Sequence, residues 1–323
     1  MRVLVTGANG FLGAHVVARL AAAGHEIRAS ARQPLRAVSS GVEAAEADLA
    51  SGALPPLVAG CEAVVHCAAR AAPWGPRDAF LRDNVEATRR LVDAALAAGT
   101  VRRFVHISSP SIYFRYRDAT DIGEQFAPPV HWPTAYAETK WASEQIALAA
   151  RGIGPVALRP RAIFGPGDRA ILPRLVAVAR RGFFPLPGGG RAAVDVTCID
   201  NVLDAIDLAL RAPASVEGRA FNITNGEPMP VRELLSRLFL ALGMPVRLVV
   251  LPRPIALGLA ACAEGIALLR SSGTEPAITR YGMGLLAYSQ TLSIAAARQL
   301  LGYQPRVSTE EGLRRFAAGS PHP

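Results

Sequence analysis

The chain has 323 residues, 50% of them hydrophobic and 19% charged, which is enough for one large domain or two unequal ones. Its net charge of +9 comes from arginines spread along the chain without interleaved aromatics, so we expect a solvated basic surface and no nucleic-acid partner. The four cysteines lack metal-ligand spacing and indicate free thiols in a cytoplasmic protein without a metal, and no apolar run is long enough to predict a membrane-spanning helix.

The first predicted unit is a strand, a glycine-rich turn and a helix. Arg2–Thr6 is a predicted buried strand, the turn follows at once, and Ala14–Ala23 has helical apolar spacing that stops at Gly24. This order is typical of a dinucleotide site, because glycines allow a tight turn and bring backbone N–H groups to a pyrophosphate. The predicted cofactor contacts in the turn are Gly7, Asn9, Gly10, Phe11, Leu12 and Gly13.

The second predicted strand, His25–Ser30, bears on the choice between NAD and NADP. In NAD-binding units an acidic residue at the end of this strand accepts from the ribose 2′-hydroxyl. This chain has Ala31 and Arg32 there, with Arg36 nearby, so a guanidinium is positioned to meet a 2′-phosphate. The sequence therefore favours NADP over NAD, and the alternative is that Arg32 is one more surface arginine.

Two further strands end in predicted cofactor contacts. A third short strand ends near residue 48, and the fourth covers 63–69 and ends in small residues on which a cofactor would lie. Asp48 either accepts from the adenine amino group or faces water. A helix is predicted from Asn84 to Ala98, closed by Gly99. The contacts predicted at the two strand ends are Asp48, Leu49, Ala68 and Ala69.

The stretch from Tyr136 to Lys140 holds the only lysine of a chain that otherwise uses 34 arginines. The predicted strand Arg103–Ile107 delivers Ser108 and Ser109 to the carboxyl edge of the sheet, where ligands bind. A predicted helix then presents Tyr136 and Lys140 on one face. A nearby ammonium favours the phenolate, so we expect Lys140 to lower the pKa of Tyr136 toward neutrality. The alternative is two polar side chains on a solvated helix.

The regular alternation loosens after the sixth predicted strand, Pro155–Pro160. We expect a helix over 171–181, a glycine-rich turn over 185–191, and a short strand and helix over 195–209 that return to the main sheet. Later helices are predicted over 231–242 and 294–301. The apolar segment 255–269 is predicted to be a helix that is buried, faces a partner, or lies on a membrane surface.

With the glycine turn, Ser109 and Tyr136-x-x-x-Lys140 in this order, the chain resembles the extended short-chain dehydrogenase/reductases over nearly its whole length. The resemblance implies a Rossmann-type, doubly wound parallel α/β sheet with a smaller C-terminal lid. We expect a cofactor-binding domain over 1–160, to which 193–225 returns, and a substrate-binding portion over 161–323.

The resemblance also implies the roles of the site residues. Tyr136 is the implied proton donor or acceptor, Lys140 the partner that holds the ribose, and Ser109 the hydroxyl that orients the carbonyl, with Ser108 as second choice. Asn84 resembles the residue that steadies the lysine. The remaining cofactor contacts implied in this way are Asn84, Ser108, Tyr136, Lys140, Pro160 and Ile163.

The stretch Leu158-Arg-Pro-x-x-Ile-Phe-Gly-Pro-Gly-Asp168 narrows the subfamily. Members acting on nucleotide sugars carry Asn where this chain has Ala162, which argues against a sugar epimerase or dehydratase. With Ser108–Ile112 and Trp74-Gly75, the stretch resembles the 3β-hydroxysteroid dehydrogenase branch, which includes bacterial 2-alkyl-3-oxoalkanoate reductases of lipid metabolism.

We therefore expect an NADP-dependent enzyme that interconverts a ketone and a secondary alcohol on a bulky, apolar small molecule. A homodimer is the expected assembly. The alternatives are an epimerase or dehydratase that retains tightly bound NAD, and a non-catalytic dinucleotide-sensing protein. The predicted substrate contacts are Trp74, Pro110, Ser111, Phe164 and Phe183.

Overall fold

The computed structural model describes residues 1–35, 41–269, 275–276 and 278–319. The strands in these ranges are, in chain order, β1 (Arg2–Thr6), β2 (Glu26–Ala31), β3 (Val42–Glu46), β4 (Ala63–His66), β5 (Arg103–Ile107), β6 (Ala119–Ile122), β7 (Pro155–Pro160), β8 (Ile163–Phe164), β9 (Phe183–Pro187), β10 (Ala193–Val194), β11 (Thr197–Cys198), β12 (Arg219–Ile223), β13 (Met229–Pro230), β14 (Arg247–Leu251) and β15 (Gln290–Leu292).

The helices in the same ranges alternate with the first strands and then follow one another more closely. They are α1 (Phe11–Ala22), α2 (Pro55–Val58), α3 (Arg77–Phe80), α4 (Ala87–Ala98), α5 (Ala135–Ala149), α6 (Leu172–Ala179), α7 (Ile199–Arg211), α8 (Val231–Ala241), α9 (Arg253–Leu269), α10 (Arg280–Ala287) and α11 (Thr309–Ala318). Two π-helical segments, Leu81–Glu86 and Ala297–Leu301, add to them.

Seven strands form one sheet in the order β3-β2-β1-β4-β5-β7-β12, and every neighbouring pair is parallel. Because the order reverses between β1 and β4, a crevice opens there at the carboxyl ends of the strands. The predicted doubly wound parallel sheet is confirmed. The predicted bounds of the first, fifth and sixth strands are those observed.

The sheet is buried on both faces, which explains why its strands are continuous apolar runs. Val3 and Val5 of β1 belong to one core cluster with Val16 of α1. Leu4 belongs to the opposite cluster with Leu91 of α4. Side chains alternate across the sheet in this way because successive Cβ atoms of a strand point to opposite faces.

A second layer covers the carboxyl edge. It contains a four-stranded sheet in the order β13-β10-β15-β6 and two parallel pairs, β8 with β11 and β9 with β14. The expected glycine-rich turn over 185–191 is wrong in its first part, because Phe183–Pro187 is a strand followed by a 3₁₀ turn at Gly188–Gly190. Pro185 and Pro187 are tolerated there because edge strands leave some N–H groups unpaired.

The short strand expected within 195–209 is β11, and it pairs with β8 outside the main sheet. The strand that extends the main sheet from this part of the chain is β12, beside β7. Within the described ranges, none of the helices combines the length and the apolar character that crossing a bilayer would need.

Candidate active site

The turn between β1 and α1 is packed so closely that two of its positions accept only glycine. Gly7 has φ +71°, and a Cβ there would lie 2.8 Å from the Ala68 backbone. A Cβ at Gly13 would lie 2.2 Å from the Gly7 carbonyl oxygen. Gly10 caps α1 without a side-chain hydrogen bond, so the N–H groups of the first turn keep their capacity to bind an anion. This uncapped helix end fits a pyrophosphate.

Asn9 connects the glycine turn to the segment after β2. Its Nδ2 donates to the carbonyl oxygens of Gln33 at 3.1 Å and Pro34 at 3.0 Å. The predicted contact residue Asn9 therefore positions the loop that would carry the adenosine ribose. Phe11 and Leu12 begin α1 and pack, partly buried, against the main core.

The end of β2 lacks a carboxylate of its own. Ala31 is the last strand residue, and Glu46 of β3 lies opposite it in the register. The side chain of Arg32 is 58% exposed and contacts Asp83 at 3.4 Å. Asp83 also accepts from Arg70 at 2.9 Å. Arg36 lies outside the described residues.

Asp48 and Leu49 follow β3 but differ in environment. The carboxylate of Asp48 is exposed and accepts from Ala50 N and Ser51 Oγ, both at 3.0 Å. Leu49 is buried in the core cluster that contains Leu4. The two oxygens of Asp48 are thus already engaged in a local turn.

Asn84 links the segment after β4 to the helix that carries the lysine. It lies in the π-helical segment before α4, a feature often found at functional sites. Its Oδ1 accepts from Arg70 N at 2.7 Å, and its Nδ2 donates to Thr139 Oγ1 at 3.0 Å. Because Thr139 directly precedes Lys140, Asn84 acts on α5 through this hydroxyl. Ala68, whose N–H donates to Thr6 Oγ1 at 3.2 Å, and Ala69 continue the chain from β4 to this point.

Ser109 and Tyr136 come together at the carboxyl edge of the sheet. Ser109 follows β5, and its Oγ accepts from Ser111 N at 3.2 Å, which caps a 3₁₀ turn. Tyr136 lies in the first turn of α5. Burial raises the pKa of Tyr136 above its ordinary value, and a hydrogen bond with Ser109 offsets part of this rise. The two hydroxyls are therefore neighbours, and the phenol keeps its proton at neutral pH.

Lys140 is buried one turn further along α5. Its Nζ donates to the Ile107 carbonyl at 2.7 Å and lies 3.3 Å from His106 Nε2. Burial lowers the pKa of Lys140 from 10.5 to about 8, against a smaller opposing effect of Glu144. The expected effect of the ammonium on Tyr136 is not found, because the ammonium is held by a backbone carbonyl and burial dominates the pKa of the phenol.

The other cofactor contacts predicted at this edge lie in different environments. Ser108 is buried, and its Oγ has no hydrogen-bond partner among the described residues. Pro160 ends β7 and pairs with Ile223 of β12, whereas Ile163 begins β8 and pairs with Thr197.

A cavity of about 200 Å³ lies beside Tyr136. It is lined by Pro73, Trp74, Gly75, Phe80, Tyr116, Pro133, Thr134, Ala135, Glu264, Arg280 and Tyr281. Trp74 is thus the predicted substrate contact that faces this cavity. Its walls come from the segment after β4, the start of α5, and the helices α9 and α10.

The remaining predicted substrate contacts are placed differently. Pro110 and Ser111 are buried behind Ser109. Phe164 is 1% exposed and belongs to the main core cluster, and a Cβ at Gly312 of α11 would lie 2.9 Å from its ring, so its position argues against a substrate contact. Phe183 is 45% exposed on β9 and pairs with Arg247 of β14.

The later part of the chain adds polar groups that sequence reasoning did not select. Arg161 follows β7 directly, so its position after a buried strand was a signal that could have identified it. Tyr281 of α10 interacts electrostatically with both Arg161 and Tyr136. Gln290 of β15 donates to the Pro110 carbonyl at 3.4 Å. No local pattern marks Tyr281 or Gln290, since more than 140 residues separate each of them from Tyr136 in the sequence.

Comparisons with known proteins identify the family of the chain. The model of the NAD dependent epimerase/dehydratase family matches residues 3–224. The chain is 39% identical over 336 residues to 2-alkyl-3-oxoalkanoate reductase of Stenotrophomonas maltophilia, covering 99% of each protein. It is 33% identical over 267 residues to the decarboxylating sterol-4-alpha-carboxylate 3-dehydrogenase of Saccharomyces cerevisiae, covering 79% of this chain and 75% of that one. The solved structure of MoeE5 in complex with UDP-glucuronic acid and NAD is 27% identical, with a TM-score of 0.77 and 98% of each chain covered.

Proposed function

The chain belongs to the NAD dependent epimerase/dehydratase family, and on this premise we propose that it is an NADP-dependent reductase interconverting a ketone and a secondary alcohol on a bulky apolar molecule. It is an oxidoreductase that uses a nicotinamide dinucleotide, as its family and its named relatives are. The observation that carries the proposal is the proximity of the Ser109 and Tyr136 hydroxyls, with the buried Lys140 one turn away.

The proposed chemistry follows from the protonation states of these side chains. Ser109 and Tyr136 bind the carbonyl oxygen of the ketone, and Tyr136 gives its proton to that oxygen as the alkoxide forms. The raised pKa of Tyr136 keeps the proton on the phenol until it is needed. Lys140 is proposed to act on the cofactor, since its charged ammonium has three donors to offer to the ribose hydroxyls. When bound, the cofactor supplies the hydride from C4 of its nicotinamide ring.

The residues proposed to hold the cofactor follow the crevice. The N–H groups at the start of α1 would take the pyrophosphate, and Lys140 the nicotinamide ribose. Support comes from the close packing of Gly7 and Gly13, which leaves the helix end open. Pro160, Ile163, Ala68 and Ala69 would lie against the rings.

NADP is the proposed cofactor rather than NAD. Arg32 has an exposed guanidinium, and its 3.4 Å contact with Asp83 is long for a charged pair, so it is available to a 2′-phosphate. The absence of a carboxylate at Ala31 supports the same choice.

A largely apolar substrate is proposed for the crevice. The cavity beside Tyr136 is lined by four aromatic side chains and by the charged Glu264 and Arg280, so the support for an apolar substrate comes chiefly from the named relatives. Ala162 has no side chain with which to hold a diphosphate, which disfavours nucleotide sugars. The two enzymes to which the chain is similar over most of its length are named for acting on 2-alkyl-3-oxoalkanoates and on sterol-4-alpha-carboxylates.

Residues 1–160 with 193–225 are proposed as the cofactor-binding domain, and the rest of 161–323 as the substrate-binding portion. A homodimer is the proposed assembly. The exposed apolar face of α9 is proposed to contact a partner protein or a membrane surface. Its side chains Ile255, Leu259, Ile266 and Leu269 are 52%, 58%, 50% and 86% exposed.

The direct test is a spectrophotometric screen of NADPH and NADH oxidation. The panel contains a 2-alkyl-3-oxoalkanoate, a 3-ketosteroid and an aryl ketone, with a nucleotide sugar as negative control. We expect oxidation of NADPH with one of the ketones and none with the nucleotide sugar. Conversion of the nucleotide sugar without net consumption of either cofactor would instead identify an epimerase.

A further inference from the structure

Arg161 differs from the other buried arginines of the described residues in having no partner for its guanidinium. Four arginines are less than 9% exposed. Arg28 donates to three carbonyls and to Glu43, and Arg103 donates to the carbonyls of Gly154 and Ala212. Arg161 is 7% exposed, its Nε is unpartnered, and its guanidinium forms no ion pair or hydrogen bond within the described ranges.

Arg159, which lies on β7 two residues before Arg161, is also buried, but its guanidinium is paired. Arg159 donates to both oxygens of Glu144, at 2.7 and 2.5 Å, and to the Glu124 carbonyl at 3.0 Å. Burial lowers the pKa of Arg159, but Glu144 raises it further, so the net change is upward. Burial lowers the pKa of Arg161, and no comparable partner offsets this.

The position of Arg161 relates it to the reacting groups. It directly follows β7 at the carboxyl edge of the sheet, where β5 delivers Ser109. The register of the two strands pairs Ile107 with Leu158, so Ser109 and Arg161 follow this pair by two and three residues on adjacent strands. Arg161 therefore lies at the same edge of the sheet as Ser109, whose hydroxyl is close to Tyr136.

Two further polar groups near this edge are left without partners. Ser111 Oγ and Gln290 Oε1 are buried and make no hydrogen bond among the described residues. Gln290 is tied to Pro110 by its Nε2, and it pairs in the sheet with Val194, the neighbour of Asp195. Asp195 interacts with Arg161 electrostatically but forms no ion pair with it, and its Oδ2 accepts from Leu292 N at 2.7 Å.

We propose that Arg161 binds a carboxylate of the substrate, so that the enzyme selects oxo acids over neutral ketones. A buried guanidinium cannot lose its proton, and an unpaired buried cation is costly unless a ligand supplies the counter-charge. A planar fork of donors matches a carboxylate with two parallel hydrogen bonds. This inference rests on the proposed function, because it assigns the second anchoring point of the ketone that Ser109 and Tyr136 bind.

The spacing of groups in the proposed substrate class suits the site. In a 3-oxo acid the carboxylate is one carbon away from the carbonyl carbon, so one molecule presents both groups on the same side of its alkyl chains. Two enzymes to which the chain is similar are named for carboxylates, one for an oxoalkanoate and the other for a sterol carboxylate.

The test compares an acid with its ester. Oxidation by NADP⁺ is measured with a 2-alkyl-3-hydroxyalkanoic acid and with its methyl ester, which lacks the charge and carries one more methyl group. For Arg161→Leu we expect kcat/KM for the acid to fall about 100-fold, mainly through KM, with the ester changed less than about 3-fold. Arg161→Lys keeps the charge without the planar fork and should lose about 10-fold on the acid. Arg181→Leu removes an exposed arginine and should leave the acid-to-ester ratio unchanged.

Melting temperatures, measured with and without ligand, distinguish a loss of substrate binding from a loss of folding. Arg161→Leu should unfold at the same temperature as the wild type or higher, because it removes an unpaired buried charge. Decanoate should raise the melting temperature of the wild type more than 1-decanol does, and Arg161→Leu should lose that difference. Equal losses on acid and ester, or a lower melting temperature for Arg161→Leu, would overturn the inference. Failure of the wild type to oxidise either compound would count against the proposed function.

Discussion

Lys140 combines two properties that oppose each other. Its ammonium is buried beside His106 and held by the Ile107 carbonyl at 2.7 Å, and this burial lowers its pKa to about 8. The proposed role of Lys140 requires the positive charge, since only the charged ammonium keeps three donors with which to hold the nicotinamide ribose. The working pH range of the enzyme is therefore set by the lysine rather than by the phenol, whose pKa is raised.

The first prediction concerns the pH dependence of reduction. Below pH 8 Lys140 is charged, and as the pH rises through about 8 the charge is lost, so kcat/KM for NADPH should fall with a single titration near pH 8. The measurement is kcat/KM at saturating ketone from pH 6 to 10. Lys140→Arg, which cannot titrate in this range, should be slower but should lack this titration. A fall centred below pH 7 would point to a different group.

The second prediction concerns cofactor choice at Arg32. The replacement Arg32→Ala removes the guanidinium proposed for the 2′-phosphate, so KM for NADPH should rise about 10- to 100-fold while KM for NADH changes little. Arg169→Ala, at an exposed arginine after β8, is the matched control. An equal effect on both cofactors would mean that Arg32 does not read the phosphate.

The proposed catalytic side chains could be selected from the sequence for a physical reason. Ser109 and Tyr136 are placed by local structure, a strand end and a helix start, so their spacing in the chain carries the information. In the sequence, Arg161 is only one position within the Leu158–Asp168 stretch, because whether its guanidinium has a partner depends on every element packed around it. Tyr281 reaches the cavity through the packing of α10, which no local pattern specifies.

The connection between β7 and β8 carries local strain at Ala162. This residue has φ +45°, in the left-handed region that favours glycine and asparagine. The same fact explains why asparagine is suited to this position in members that act on nucleotide sugars. Here alanine holds the conformation without supplying an amide.

The third prediction follows from this strain. Ala162→Gly should stabilise the protein by about 1 kcal/mol, because glycine adopts a positive φ at no steric cost. The free energy of unfolding is measured by urea denaturation. Ala18→Gly, at an exposed position within α1, should destabilise by about 1 kcal/mol and serves as the opposite-sign control. Destabilisation by both replacements would show that the Cβ contacts of Ala162 outweigh its strain.

The fourth prediction concerns the exposed face of α9, formed by Ile255, Leu259, Ile266 and Leu269. A double variant with Leu259→Glu and Ile266→Glu places two charges on this face. It should reduce flotation with phosphatidylglycerol vesicles or shift the sedimentation coefficient toward the monomer. The first result identifies a membrane surface and the second a protein partner. Leu240→Glu on α8, where the leucine is 82% exposed, is the control. No change in either experiment would remove this face from the proposed contacts.

The fold has two parts. The main sheet is specified by elements that are neighbours in the sequence, and the second layer by strands that pair across long distances in the sequence. The main sheet follows from strands and helices that alternate along the first half of the chain, and its order could be predicted. The second layer pairs β6 near residue 120 with β15 near residue 290, and β9 with β14. Such pairings leave no periodic signal in short segments, which explains why the strands of this layer other than β11 were not predicted.

This division of the fold also explains how the site is built. The main sheet brings the glycine turn and Ser109 to one edge, and α5 adds Tyr136 and Lys140. The second layer encloses that edge and contributes Tyr281 and Gln290. The cofactor side of the crevice therefore depends on local sequence, and the substrate side depends on long-range packing.

The central claim is that Tyr136 gives a proton to a ketone whose reduction consumes NADPH. The measurement that tests it most directly is NADPH oxidation with a 2-alkyl-3-oxoalkanoate by the wild type and by Tyr136→Phe, alongside NADPH binding by fluorescence. We predict that the wild type consumes one NADPH per ketone reduced and that Tyr136→Phe binds NADPH equally well but turns over about 10²- to 10⁴-fold more slowly. Turnover by Tyr136→Phe at the wild-type rate, or conversion of the substrate without NADPH consumption, would contradict the account.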